Sequence, residues 1–214
     1  MTDWATIGSL ATAGGTLVLA AATYSSVRSA NRSARVAERT LMLGLRPVLI
    51  SSREADSAQL VRWGDGYEAS VSGGRGHLAE QDGVIYLAMA LRNVGAGLGV
   101  LQAWHLTTEQ LRAADPHPPL ERFRRQQRDL YIAAGDVGFW QAALRDPEDE
   151  FRAEVSEALA AHRAVLVHLL YGDHEGGQLT ISRFRILRRD DGQTVAEVAR
   201  HWSLQAPDPR LSGA

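Results

Sequence analysis

The chain of 214 residues has no cysteine and no lysine. The first absence excludes disulfide scaffolds, thiolate zinc sites, iron-sulfur clusters and thiol nucleophiles. The second excludes P-loop, Schiff-base and catalytic lysines, and it makes all 23 basic side chains arginine. Against 25 acidic residues these leave a formal net charge of -2, which gives no global reason to expect nucleic acid. There is no G-x-S-x-G elbow and no H-E-x-x-H pair among the seven histidines. No catalytic residue is assigned and no cofactor is expected. With 45% apolar and 22% charged residues the composition is that of a folded chain, so wholesale disorder and collagen-like repeats are excluded. The length suits one domain of about 100 to 200 residues with a small appendage.

The appendage is N-terminal. Trp4 to Val27 carries no charge and is bracketed by Asp3 and Arg28. That is long enough for a spanning helix, which needs about 20 residues, and Trp4 and Tyr24 sit where interfacial aromatics belong. Ile7, Leu10, Leu17, Val18 and Leu19 are its only large aliphatics before Val27, the rest being mostly Ala, Gly, Thr and Ser. Residues 1–27 are read as a transmembrane helix. The alternatives are a soluble Ala-rich helix packed on the domain or a partner, and a signal peptide cleaved near Ala20 to Ala22, which fits poorly with the acidic start. Arg28, Arg32, Arg35, Arg39 and Arg46 follow the segment and no basic residue precedes it. The positive-inside rule then gives a single-pass inner (cytoplasmic) membrane protein with its N-terminus outside and its C-terminal domain in the cytoplasm. Gly8, Ala11, Gly15 and Ala22 form a small-residue strip suited to helix packing, hence to a homo-oligomer. Arg28, Arg32, Arg35 and Arg39 are spaced by four, three and four, which places them on one face of a basic juxtamembrane helix over residues 28–46. That face suits the bilayer's anionic headgroups or an acidic protein partner.

After Pro47 the texture becomes strand-like. Val84 to Leu91 reads as a buried strand, with Val100 to Thr107 as its partner across a Gly95-Gly97-Gly99 turn whose glycines supply positive φ. A nucleotide-binding reading of these glycines fails, because a strand rather than a helix follows them. Residues 51–83 read as a long loop with one hairpin near Val61 to Val71. Leu111 to Arg128 reads as loop, broken by Pro116, Pro118 and Pro119. Asp129 to Ala133 reads as a short strand and Val137 to Leu144 as another strand or a bend. A helix is expected from Asp146 as N-cap with Pro147 at its first position, running to His162 and Arg163. Ala164 to Tyr171 and Leu179 to Leu187 form a hairpin, Thr194 to Leu204 fits a helix or a strand and is taken as a strand because Asp190, Asp191 and Gly192 make a turn before it, and residues 206–214 read as a flexible tail.

These elements describe a mainly β fold: an antiparallel immunoglobulin-like sandwich over residues 47–205 with one inserted helix, preceded by a long N-terminal helix, transmembrane plus juxtamembrane, that continues until Gly44 and Pro47 stop it. Arg46-Pro47-Val48-Leu49 at the domain start, Leu91-Arg92-Asn93-Val94-Gly95-Ala96-Gly97 after the long strand, and Tyr171-Gly172-Asp173 with Gly176 in the late hairpin carry a resemblance. The chain resembles a loosely defined group of bacterial membrane-tethered proteins in which a transmembrane helix and a basic linker precede an immunoglobulin-like domain. The resemblance implies no activity. The expected function is a membrane-tethered cytoplasmic protein-interaction module. The alternatives are a subunit of a larger assembly that packs through its N-terminal helix, and a metal-binding protein or noncanonical enzyme. His168, Asp173, His174 and Glu175 are the weak metal-ligand candidates for the last, with His201 as a further donor.

Overall fold

A computed structural model describes residues 4–112, 115–189 and 191–205, without the side chains of 4–7, 9–13, 39, 42 and 43. The expected tail at 206–214 lies outside the described residues. The chain divides into two units, Met1–Gly44 and Leu45–Ala214.

The first unit is one helix, α1 (Trp4–Gly44). Alanine favours it and no proline interrupts it. Thr23, Ser25 and Thr40 turn their hydroxyls back onto the carbonyls of Leu19, Ala22 and Val36. The expected long N-terminal helix is present, and it runs through residue 27 unbroken because nothing in the sequence interrupts the backbone ladder there. The spanning assignment is also corrected. Among the described residues no helix is long and apolar enough to cross a membrane. The length is sufficient, but Ala, Gly, Ser and Thr dilute the few large aliphatics too far. The single-pass inner-membrane placement, with the N-terminus outside, falls with it.

The second unit is mainly β. Its described strands are β1 (Leu49–Ser51), β2 (Gln59–Arg62), β3 (Glu68–Val71), β4 (Gly76–Gln81), β5 (Val84–Asn93), β6 (Gly99–Thr107), β7 (Arg124–Ile132), β8 (Val137–Leu144), β9 (Val165–Gly172), β10 (Thr180–Arg188) and β11 (Thr194–Ser203). One helix, α2 (Glu150–Ala160), joins β8 to β9. Every pairing is antiparallel. In one sheet β8 lines one side of β5, while β4 and β1 share the other. The second sheet runs β11-β10-β9-β6-β7, and β2 and β3 form a separate hairpin.

The unbroken apolar run of β5 follows from burial on both faces. Ile85, Leu87, Met89 and Leu91 enter the main core, shared with Val165, Val167, Leu169 and Tyr171 of β9 and with Phe151 and Val155 of α2. Tyr86, Ala88 and Ala90 face the other way, into a smaller core closed by Val61, Trp63, Ala69 and Val71 of the hairpin. Burying one leucine-sized side chain contributes about 2 kcal/mol, so both faces of this strand count.

Several expectations change. In the stretch expected as loop at 51–83, the hairpin expected near Val61 to Val71 is present as β2 and β3, while β4 was not expected. Asp82 and Gly83, with φ of 51° and 75°, form the two-residue turn from β4 into β5. β6 does not pair with β5. It lies in the opposite sheet between β7 and β9, because residues 94–98 cross between sheets instead of closing a hairpin. Nor do the glycines there serve positive φ. A Cβ at Gly95 would stand 2.2 Å from the Arg46 carbonyl oxygen, and one at Gly97 1.7 Å from that of Leu45. They are needed for close backbone approach. β7 begins at Arg124, inside the expected loop. The N-cap of α2 is Asp149, whose side chain accepts from the Phe151 N–H. Asp146 instead accepts from the Glu148 N–H one turn earlier.

The crossover is organised by Asn93, which is fully buried. Its Oδ1 accepts from the N–H groups of Val48 at 3.1 Å and Gly95 at 3.0 Å. Its Nδ2 donates to the carbonyls of Gly97 at 2.7 Å and Ile132 at 3.0 Å. One amide thus satisfies four backbone groups from three segments. Asn93→Ala is expected to cost at least about 3 kcal/mol in urea denaturation, because several buried groups lose their partner at once. Gly97→Ala is expected to be destabilising by a comparable amount, through the clash with the Leu45 carbonyl.

Candidate functional site

On α1, Gly8, Gly15 and Ala22 are exposed, and the side chain of Ala11 lies outside the described residues. Arg28, Arg32 and Arg35 are also exposed, and the Arg39 side chain likewise lies outside the description. The more informative feature of the helix is apolar. Leu17, Ala20, Tyr24, Val27, Asn31, Ala34, Glu38 and Leu41 are separated alternately by three and four residues, a period of 3.5. Leu17 is 73% exposed, Tyr24 70%, Val27 53% and Leu41 67%. This seam extends for about 36 Å at 1.5 Å per residue. Its spacing was present in the sequence, but the charge-free stretch ending at Val27 drew attention to a span that stops halfway along it.

The metal candidates are not brought together. His168 on β9 is fully buried, and its Nε2 accepts from Arg183 Nε at 2.9 Å. That bond places the proton on Nδ1, which is buried without a partner. Asp173 accepts from the Gly177 N–H at 2.7 Å within its own turn. His174 and Glu175 are exposed side chains 3.9 Å apart. His201 is bonded through Nδ1 to the Ser182 hydroxyl at 2.6 Å. Among the described residues no three His, Asp or Glu side chains converge as a metal would require. Alternation explains the separation, since the inward-facing turn aspartate and its outward-facing neighbours diverge where the hairpin bends.

His168 instead belongs to a rung that the sequence alone did not reveal. His105, His168, Arg183 and Arg200 are register neighbours across β6, β9, β10 and β11, and all four are buried. Arg183 also donates to the carbonyls of Arg112, Asp115 and Pro116 at 3.1 to 3.2 Å, tying down the segment that crosses the outside of the sheet. Its guanidinium lies 4.9 Å from the Trp202 ring, and His117 meets that ring edge-on at 5.8 Å. His105 Nδ1 bonds the Arg122 carbonyl at 3.2 Å. The contacts of the rung join the sheet to the segments outside it. Finding it requires the strand register, which no periodicity in one chain encodes.

Compared with known proteins, the chain matches no family model and no curated protein sequence.

Burial, with Arg183 and the neighbouring histidines, pushes His168 from the usual 6.5 down to about 3. Burial lowers His77, His105 and His201 as well. The folded protein therefore binds fewer protons than the unfolded chain in this window, and stability is complete above pH 6.5 and lost as pH falls toward 3. In urea melts across that range His168 alone contributes a slope of about 1.4 kcal/mol per pH unit. His168→Gln, which keeps an acceptor for Arg183, is expected to flatten the slope while leaving the fold intact by circular dichroism.

Proposed function

We propose that this protein is a protein-interaction subunit that assembles through α1, pairing with a second copy and displaying its β unit to further partners. This takes up the packing-helix reading, without a membrane span. The β unit is read as an immunoglobulin-like sandwich, supported by two antiparallel sheets with a common core.

The 3.5-residue seam of α1 carries the reading. An isolated helix draws little net stability from its own ladder, and most helices are held by packing an apolar face. A seam that leaves Leu17, Tyr24, Val27 and Leu41 in water is completed by another helix. Ala20 and Ala34 allow close approach, and Asn31 on the seam supplies the kind of polar position that fixes register in two-stranded coils. The flanking arginines favour a parallel pair, against the one like-charge contact of Glu38 with its own copy on the seam. In a parallel, in-register pair Arg28 and Arg35, which flank the seam, face Thr23 and Ala30 of the other copy. An antiparallel pair aligned on the same seam sets arginine against arginine, which disfavours it.

Sedimentation equilibrium of the full chain tests this. The wild type is expected to fit a dimer, and Leu17→Glu with Val27→Glu to fit a monomer with unchanged β-sheet circular dichroism. A wild type that is monomeric at every concentration overturns the proposal, as does a double variant that stays dimeric.

A further inference from the structure

Where the two sheets meet at their open sides, β7 of one and β8 of the other flank a cleft of about 510 Å³, within the range of small-ligand sites. Five arginines line it: Arg62, Arg124, Arg125, Arg128 and Arg145. Asp146 and Asp149 are the only carboxylates in its lining.

The backbone goes out of its way to gather these cations. β7 pairs with β6 through Arg125 opposite Ala103 and again through Leu130 opposite Leu101. Gln126 to Asp129 therefore bulge out opposite the single residue Gln102. On a regular strand successive residues face opposite ways, so Arg125 and Arg128, three apart, would point to different sides. In the bulge the consecutive residues 124–128 all line the cleft. The bulge gives up ladder hydrogen bonds and places none of residues 126–129 in a core. A bulge of this kind re-aims side chains toward a site.

The cations are unequally neutralised. Arg124 is held by both oxygens of Asp149 and stacks 4.2 Å from the Phe151 ring, so it forms a fixed wall. Arg62 pairs with Glu68 and Arg145 with Asp65, but their side chains are 65% and 40% exposed, and exposed pairs contribute only about 0 to 1 kcal/mol. Both can turn to a stronger anion. Arg128 meets only the neutral Gln141 amide, at 3.2 Å, and lies 5.9 Å from the Phe139 ring. Arg125 is exposed and, among the described residues, meets no carboxylate within ion-pair distance. Asp146, engaged by the Glu148 N–H, is the one lining carboxylate without a guanidinium.

We infer that this cleft is a binding site for a small ligand carrying two or more oxyanion groups, phosphate or carboxylate. The planar guanidinium fork matches both geometries, and charge-assisted bonds to it are about twice as strong as neutral ones. Arg125 and Arg128 are the primary contacts, Arg62 and Arg145 close on the ligand, and Arg124 backs it.

Isothermal titration of the full chain at low salt, with tripolyphosphate in one arm and citrate in the other, tests the inference. Saturable single-site binding is expected, and the tighter of the two arms identifies the oxyanion. Arg125→Gln with Arg128→Gln is expected to weaken binding at least about tenfold, the scale of one lost charge-assisted contact. Arg53→Gln with Arg188→Gln removes the same charge elsewhere and is expected to change affinity by less than about twofold, the effect of screened, distant charges. Absence of saturable binding in both arms overturns the site. So does an equal loss in the two double variants, which marks non-specific attraction to net charge.

Discussion

The β unit depends on one buried amide. Asn93 ends the longest strand of the first sheet, and its side chain holds the chain segment entering β1, the crossover to β6 and the end of β7. Backbone bonds reinforce it, since the Asn93 N–H donates to Asp136 and its carbonyl accepts from Gly135. A crossover between two sheets leaves the sheets' own ladders, so its backbone groups need other partners if they are buried. One asparagine with two donors and two acceptor lone pairs meets that need, where an apolar residue would strand four groups. The same tight meeting explains the glycines. With Gly95 and Gly97 pressed on the Arg46 and Leu45 carbonyls, the sheets can approach closely enough for Leu49 and Leu101 to enter one core.

How much of this was legible follows from the range of each interaction. The existence of β5, β9 and β10 could be read from local apolar patterning, because burial acts residue by residue, whereas β8 could equally be a bend and β11 was set apart from a helix only by the turn before it. Their partners could not. β6 has the alternation of a strand whichever sheet receives it, and what sends it across is the Asn93 network, built from residues 45 positions apart in the chain. The Asp82-Gly83 turn was legible in principle, being a strong local hairpin signal, but it lay in a stretch whose many glycines suggested loop. The start of α2 was misplaced because both Asp146 and Asp149 offer a cap, and the choice belongs to Arg124, which grips Asp149 from another element. The α1 span failed for a different reason. A charge-free length is necessary for crossing a bilayer, but the hydrophobicity per residue decides, and alanine and glycine supply little of it.

The cleft was the least legible feature, and the reason is geometric. Arg122, Arg124, Arg125 and Arg128 stand out as a basic cluster, yet period-two alternation would scatter them over both faces of a strand. Only the bulge against β6 brings residues 124–128 to a common side. A departure from regular structure thus created the site, where a reading based on regular structure could not find it.

The absence of lysine has a physical counterpart in the buried rung. A lysine at 183, taken out of water without a carboxylate, would tend to lose its proton. Arginine keeps its charge there, because its planar donors are spread over three carbonyls and the His168 acceptor. Arg200 stands directly opposite Arg183 in register, an arrangement of like charges that is unfavourable in a bare sheet. Trp202 eases it, since each guanidinium lies 4.9 Å from its ring and takes attraction from the indole π system. His168 completes the arrangement only while neutral, with its proton on Nδ1 and Nε2 left to accept from Arg183. A second proton would turn its bond from Arg183 into a contact between two cations. The rung is therefore stable while burial keeps His168 and His105 neutral beside the Arg183 guanidinium.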